Sequence, residues 1–271
     1  MVVNDCAHVM EDILPHFSSD FEIQFLQRTR GLRSKTFGVL WKIAKSKGEI
    51  YHVNYALQDA YLVSKFKHLD ILHCHGSDIR WTMENWKWGR IVRHNLKSAK
   101  VVLYSTPDLE EKTKSYREDA IYLPTPVKTN VFTPKVEYGK YPHAVYFKLH
   151  YEKLPMELAV LLGKHNISLD IVDRNIPYSE MPSFLSMYDI FIDRFAILSF
   201  SKTCLEAMSC RLATIDHRQI DDLSERVSWL SDIANIKKEG VTNRIFIEKN
   251  HNVELVANKL ALIWKGLEKK Q

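Results

Sequence analysis

Glu206 makes the plainest chemical demand in this chain. It lies in the segment SKTCLEAMSCRLATI, residues 201–215, in the first turns of an otherwise apolar, small-residue helix that leads straight to a strand. A helix packed on a sheet has little use for a charge there, because an unpaired buried carboxylate is costly or shifts its pKa. Something must meet it, and two hydroxyls of a sugar ring would fit; the plain alternative is a capping or salt-bridged glutamate. The His-Cys-His run at 73–75 also invites chemistry. On a strand His73 and His75 face the same way, yet no third or fourth ligand accompanies them, so no metal site is expected. Cys6, Cys74, Cys204 and Cys210 form neither a CxxC pair nor a Cys/His metal spacing. Three of them fall in predicted core elements, which suits reduced thiols in a cytosolic compartment.

The elements that must position these groups alternate along the chain. A length of 271 residues fits one large or two modest domains, and 45% hydrophobic with 26% charged residues describes an ordinary soluble protein. Helices are expected over 5–16, 37–47, 59–66 and 85–99, and strands over 21–26, 50–53, 70–74, 101–104 and 121–123. After a proline-rich break, strands are expected at 144–148, 169–172, 190–193 and 213–216. Helices are expected between them at 155–164, 178–187 and 201–209, and a long terminal one at 253–268. This alternation argues for α/β structure with parallel sheets flanked by helices. The break at 124–142 divides it into two Rossmann-like domains with a central cleft between them, ligands binding at the carboxyl ends of the strands. The domains are placed at 1–125, 143–250 and a closing helix at 251–271, with 126–142 as linker. The first domain is expected to lack its opening strand, because the chain starts in a loop that runs directly into a helix. No signal peptide is expected, since residues 1–10 lack Lys and Arg and include Asp5. No apolar run approaches the ~20 residues that span a bilayer.

Four ordered segments resemble glycosyltransferases of the GT-B fold, and glycosyltransferase family 4 in particular. LEAMSC at 205–210 is similar to the L-E-A-M-A-x-G segment. LPTPVKTNVFTP at 123–134 aligns without gaps to I-P-N-G-V-D-T-D-x-F-x-P, keeping Pro124, Val127, Thr129, Phe132 and Pro134. FKLHYEKL at 147–154 resembles G-R-L-x-x-E-K-G, with Lys148 on the Arg and Lys153 on the Lys. ILHCHGSDIR at 71–80 resembles an H-G-x-D stretch at the end of a strand. The resemblance implies two Rossmann-like domains and a retaining transfer of a sugar from a nucleotide-diphosphate sugar to an acceptor hydroxyl, without a bound metal or other cofactor. Two cations at the leaving diphosphate would lower the barrier as negative charge develops.

The site residues it implies are His75 and Asp193 as catalytic, with Gly76, Lys148, Lys153, Thr203 and Glu206 binding the donor. Asp78 and Arg80 are expected to contact the acceptor or phosphate; the bland alternative is a capped helix start with Ser77 or Asp78. The family's first carboxylate is Leu198 here, so Asp193 at the strand end of IFIDRF is expected to stand in. The family's helix-ending glycine is Arg211, which implies a different exit from the helix. Expected partners are a nucleotide-sugar donor and a glycan or lipid-linked acceptor. A net charge of +5 suits such anionic ligands and is too dispersed to argue for nucleic acid. The tryptophan-rich, basic segment 81–100 adds peripheral contact with the inner membrane face of a cytoplasmic protein to these expectations. Two rivals stand beside the transferase. One is a non-catalytic relative that binds nucleotide or glycan or serves as a partner subunit; the other is a sugar-nucleotide epimerase of the same fold.

Overall fold

Val2 and Val3 correct the expectation that the opening strand is missing. In the computed structural model, which describes residues 1–17, 21–27 and 39–268, they form β1 (Val2–Val3) in the interior of a sheet. Two β-branched residues are too few to show a period, but both are buried and paired on each side. β1 runs parallel to β2 (Phe25–Leu26) and to β3 (His52–Asn54). The sheet continues through β4 (Ile71–Cys74), β5 (Val101–Tyr104) and β6 (Ile121–Tyr122), in the order β2-β1-β3-β4-β5-β6. Between the strands lie α1 (Val9–Ile13), α2 (Val39–Lys45), α3 (Gln58–Phe66), α4 (Ser77–Arg80), α5 (Trp88–Ser98) and α6 (Glu110–Lys114). Of the helix expected over 37–47, the first two positions lie outside the described residues.

The second sheet is built from β7 (His143–Phe147), β8 (Ser168–Val172), β9 (Ile190–Ile192) and β10 (Ala213–Ile215), in the order β10-β9-β7-β8. Its helices are α7 (Met156–Lys164), α8 (Met181–Leu185), α9 (Lys202–Ser209), α10 (Leu223–Leu230) and α11 (Ile233–Asn250). Last comes α12 (Val253–Glu268). Chain contacts divide these elements into two compact units, Met1–Pro126 with the chain from Glu254 onward, and Val127–Val253. Every strand pair in both sheets is parallel.

A parallel sheet must be covered on both faces, and the alternation of side chains shows how. In the second unit Val145, Phe147 and Phe191 enter one apolar layer, and Ala144, Tyr146, Ile190 and Ile192 the other. In the first unit Val3, Val53, Leu72, Cys74, Val102 and Tyr104 share one core layer. The opposite face carries buried His52, Asn54 and His73, an unusual polar row for a parallel sheet. Trp264 of α12 packs there, its Nε1–H donating to His52 Nδ1 at 3.3 Å. Strand order reverses between β1 and β3 in the first sheet and between β7 and β9 in the second. Such switch points leave a crevice outside the carboxyl ends of the strands. No helix among the described residues is long and apolar enough to cross a membrane.

The exit from α9 is not the different one expected. Leu212 N–H donates to Ala207 O at 3.0 Å and Arg211 N–H to Met208 O at 3.1 Å, the two bonds of a Schellman ending. Arg211 takes the left-handed conformation that glycine usually fills, at φ 66°. The carbonyl of Arg211 is locked by Tyr138 Oη–H at 3.2 Å and lies against Gly240 of α11, where a Cβ would come within 2.2 Å of it. The packing therefore holds a conformation that costs an L-residue about 1–2 kcal/mol. Arg211→Gly is expected to stabilise the second unit by about 1 kcal/mol, read as a higher urea midpoint. An unchanged or lower midpoint would show that the arginine side chain contributes more than its backbone costs.

Candidate functional site

In the second unit the carboxyl ends of β7 and β9 open on a pocket lined by Tyr146, Phe147, Arg174, Asp193, Arg194 and Thr203. Asp193 follows β9 and is buried, its Oδ2 accepting the N–H of Ser201 at 2.8 Å. Ser201 caps α9 in turn, its Oγ accepting the N–H of Cys204 at 3.1 Å. Burial raises the Asp193 carboxyl above the usual carboxylate range, against the pull of the Arg194 guanidinium and the Ser201 bonds. Asp193 thus both lines the pocket and holds the start of the helix.

Arg194 is underused by the protein. Its Nη2 reaches Ser199 O at 3.4 Å and Ser199 Oγ and Phe200 O at 3.5 Å each, and its buried Nε has no hydrogen-bond partner. Contacts of that length are weak, so the protein holds the guanidinium only loosely where it lines the pocket. Arg174, beyond the end of β8, is exposed and lines the same pocket. Lys148 and Lys153 are not among the lining residues. Lys148 is half exposed and pairs with Asp173 at 3.1 Å, and Lys153 is exposed. Between them Glu152 accepts the N–H of Phe195 at 2.6 Å and of Ala196 at 3.1 Å, anchoring the loop that follows Arg194. Both lysines stand out in the sequence, whereas Glu152, Arg174 and Arg194 are placed by the structure. Adjacency to Asp193 was the one available signal for Arg194; Arg174 looks like any surface arginine.

Glu206 is met from within the protein. Its side chain is buried, Tyr178 Oη–H donates to Oε1 at 2.9 Å, and Lys202 Nζ stands 3.9 Å away. Lys202 and Lys128 also lie over the Tyr178 ring at 5.1 and 5.0 Å. The need inferred from its burial was real, and a tyrosine hydroxyl 28 residues away answers it. Thr203, one turn earlier on α9, does line the pocket.

In the first unit His75 sits just past β4. Its Nε2 is 2.9 Å from Asn54 Oδ1 and its Nδ1 3.0 Å from Ser105 Oγ, while its ring lies tilted against that of His73, centroids 4.1 Å apart. Gly76 has φ 144°, and a Cβ there would meet the Arg80 guanidinium at 2.1 Å, so the position requires glycine. Asp78 is fully buried and accepts the N–H groups of Gly76, Ile79 and Ala56 at 2.8, 3.1 and 3.0 Å. Burial raises its carboxyl, and those backbone bonds oppose the rise. Arg80 forms a two-pronged pair with Asp108 at 2.6 and 2.9 Å and donates to Thr106 Oγ1 at 2.9 Å. Asp78 and Arg80 are therefore engaged in holding the turn after β4. In the tryptophan-rich segment Trp81 and Trp86 are exposed and Trp88 is half-buried. No group of three or more potential metal-ligating side chains occurs among the described residues.

No protein-family model matches the chain, and no curated protein sequence matches it. Solved structures do. A sucrose-phosphate synthase from Thermosynechococcus elongatus superposes with a TM-score of 0.66 at 12% identity, over 93% of this chain and 86% of that one. S. aureus TarM, as a mutant in complex with Fondaparinux, alpha-GlcNAc-glycerol and UDP, gives 0.57 at 10% identity, over 84% of this chain and 58% of that one. A Listeria monocytogenes protein described as a UDP-N-acetylglucosamine 2-epimerase gives 0.55 at 11% identity, over 100% and 88%. These likenesses, with two all-parallel sheets, define the class: the chain has the GT-B fold.

Proposed function

We propose that this protein is a glycosyltransferase that moves a sugar from a nucleotide-diphosphate sugar to an acceptor hydroxyl, with the donor held by the second unit. The observation that carries the reading is the pocket at the β7/β9 switch point, where Arg194 and Arg174 line the same space as Asp193 and Thr203. A diphosphate brings the acceptor oxygens that a planar guanidinium matches, and charge that grows on the leaving group is stabilised by such preplaced cations. Arg194 and Arg174 therefore take the role that the resemblance gave to Lys148 and Lys153. The transfer proceeds with retention and needs no metal ion or other cofactor in this proposal, so a chelator should leave the rate unchanged.

The non-catalytic alternative is favoured by one observation: Lys148 and Glu206 are tied to Asp173 and to Tyr178 and Lys202 within the protein. Calorimetric titration with UDP, GDP and ADP tests the proposal. One nucleotide should bind wild type, and Arg194→Gln should weaken it by about 10–100-fold, the worth of a hydrogen bond to a charged group. Lys148→Ala should cost less than about threefold, since an exposed ion pair contributes little. Loss with Lys148→Ala but not with Arg194→Gln would return the diphosphate to the lysines. Absence of binding by all three nucleotides would sink the transferase reading. If binding holds, product analysis decides the chemistry, because an epimerase yields free nucleotide and an altered sugar without any acceptor.

A further inference from the structure

Three histidines of the first unit stand in one polar row with Trp264, Ser105 and Asn54, and each end of that row fixes where the protons lie. At one end Trp264 Nε1–H donates to His52 Nδ1 at 3.3 Å. An indole only donates, so His52 Nδ1 is the bare nitrogen and its proton is on Nε2. At the other end Asn54 Nδ2 donates to Asn4 O at 2.9 Å and reaches Val3 O at 3.5 Å. Those two carbonyls set the orientation of the amide, which leaves Asn54 Oδ1 as an acceptor. His75 Nε2 lies 2.9 Å from that oxygen, so the His75 proton is on Nε2 and its Nδ1 is bare.

Ser105 completes the assignment. Its Oγ lies 3.0 Å from His75 Nδ1, 3.0 Å from His73 Nε2 and 3.1 Å from Cys74 O, yet a hydroxyl has one proton to give. Given to Cys74 O, it leaves the bare His75 nitrogen against an oxygen lone pair. Given to His73 Nε2, it also forces the proton of His73, which burial keeps neutral, onto Nδ1, a buried atom without a hydrogen-bond partner. Each of these strands a buried polar group, which is costly. Given to His75 Nδ1, it leaves the oxygen free to accept from His73 Nε2–H, and both bonds are made. We propose that Asn54 and Ser105 are positioning residues that hold the His75 ring in one orientation, with its proton on Nε2. Both ring nitrogens then meet the protein, and the ring fixes the Gly76 turn at the carboxyl end of β4, where ligands of a parallel sheet bind. The tautomer follows from these bonds alone. The positioning role rests on the proposed transferase reading, in which His75 acts through the turn it holds and exchanges no proton with substrate.

Nitrogen NMR on the whole chain with isotope-labelled histidine tests this at about pH 8.5, above the ordinary histidine pKa of about 6.5. Among the twelve histidines, the His75 signals are those lost in His75→Gln. They should show a protonated Nε2 and a bare Nδ1. Asn54→Leu and Ser105→Ala should each raise the ratio of Nδ1–H to Nε2–H about fivefold or more, the worth of one hydrogen bond, and Ser105→Thr should keep the wild-type ratio. A wild-type ring with its proton on Nδ1, or a ratio unchanged in both Asn54→Leu and Ser105→Ala, would overturn the assignment. The positioning role is read from turnover of the nucleotide sugar whose nucleotide binds in the calorimetric titration. Turnover should fall about tenfold in Asn54→Leu and Ser105→Ala, with KM within about twofold of wild type, and should return in Ser105→Thr. Unchanged turnover beside an altered tautomer would remove that role. Wild type that binds no nucleotide would instead remove the transferase reading and leave the tautomer standing.

Discussion

Lys135→Met is expected to lower the unfolding free energy of the second unit by about 3–5 kcal/mol, the cost of stranding one member of a buried ion pair. Lys135 Nζ donates to Tyr188 O and to Asp189 Oδ1, both at 2.7 Å, and the two side chains are 5% and 3% exposed. The other carboxylate oxygen accepts the N–H of His143 at 2.9 Å, so Asp189 ties the start of β9 to the start of β7. Removing the lysine leaves a buried charge without its partner, whereas removing both charges does not. Lys135→Met with Asp189→Asn should therefore recover part of the loss. Urea unfolding near neutral pH measures both variants. A single variant within about 1 kcal/mol of wild type would mean that water reaches the carboxylate and the pair is not sealed. β9 and β7 are the strands whose carboxyl ends bear the arginine pocket, so the same pair supports the site from the opposite end of the sheet.

Acid should act on the first unit through its histidine row. Burial, with lesser contributions from His75 and the amino terminus, pushes His52 from 6.5 down to about 3. His73 is also pushed well down by burial, then by His75 and His52. Their rings lie 5.7 Å apart, and neither His52 Nε2 nor His73 Nδ1 has a hydrogen-bond partner. An unfolded histidine takes a proton near pH 6.5, and these two cannot while folded. Below that pH the unfolded state binds more protons, so stability is complete above about 6.5 and is lost as pH falls toward the folded value. From pH 7.5 to 5.0 His52 alone should remove about 2 kcal/mol. Denaturant midpoints at the two pH values measure this, and His52→Gln should shrink the difference by about that amount. An equal drop in the variant would place the titrating group elsewhere.

Much of the scaffold was legible because it is local. The run DILHC ahead of His75, the strand 101–104 and the helix 253–268 announce themselves by apolar runs and periodicity, and β5 and α12 occupy those spans. α11 was not anticipated, because its apolar residues do not form one stripe: Val241, Ile245 and Phe246 are exposed while Ile236 and Ile247 are buried. β1 escaped because two valines carry no period, and their place inside the sheet comes from partners more than twenty residues away.

For the site, the chain by itself determined which residues had a demand to be met: a carboxylate in a small-residue helix, an acid at a strand end, a glycine after a histidine. Side-chain chemistry and neighbouring residues set those demands. Only the tertiary structure decided what meets each one. Glu206 is answered by Tyr178 and Lys202, Arg80 by Asp108, and Lys148 by Asp173. Arg194 has only long contacts within the protein and lines a pocket instead. The physical reason is that charge pairing and burial depend on distances in space, which strand order sets. The reversal between β7 and β9 places that pocket, and no local pattern in the chain encodes a reversal.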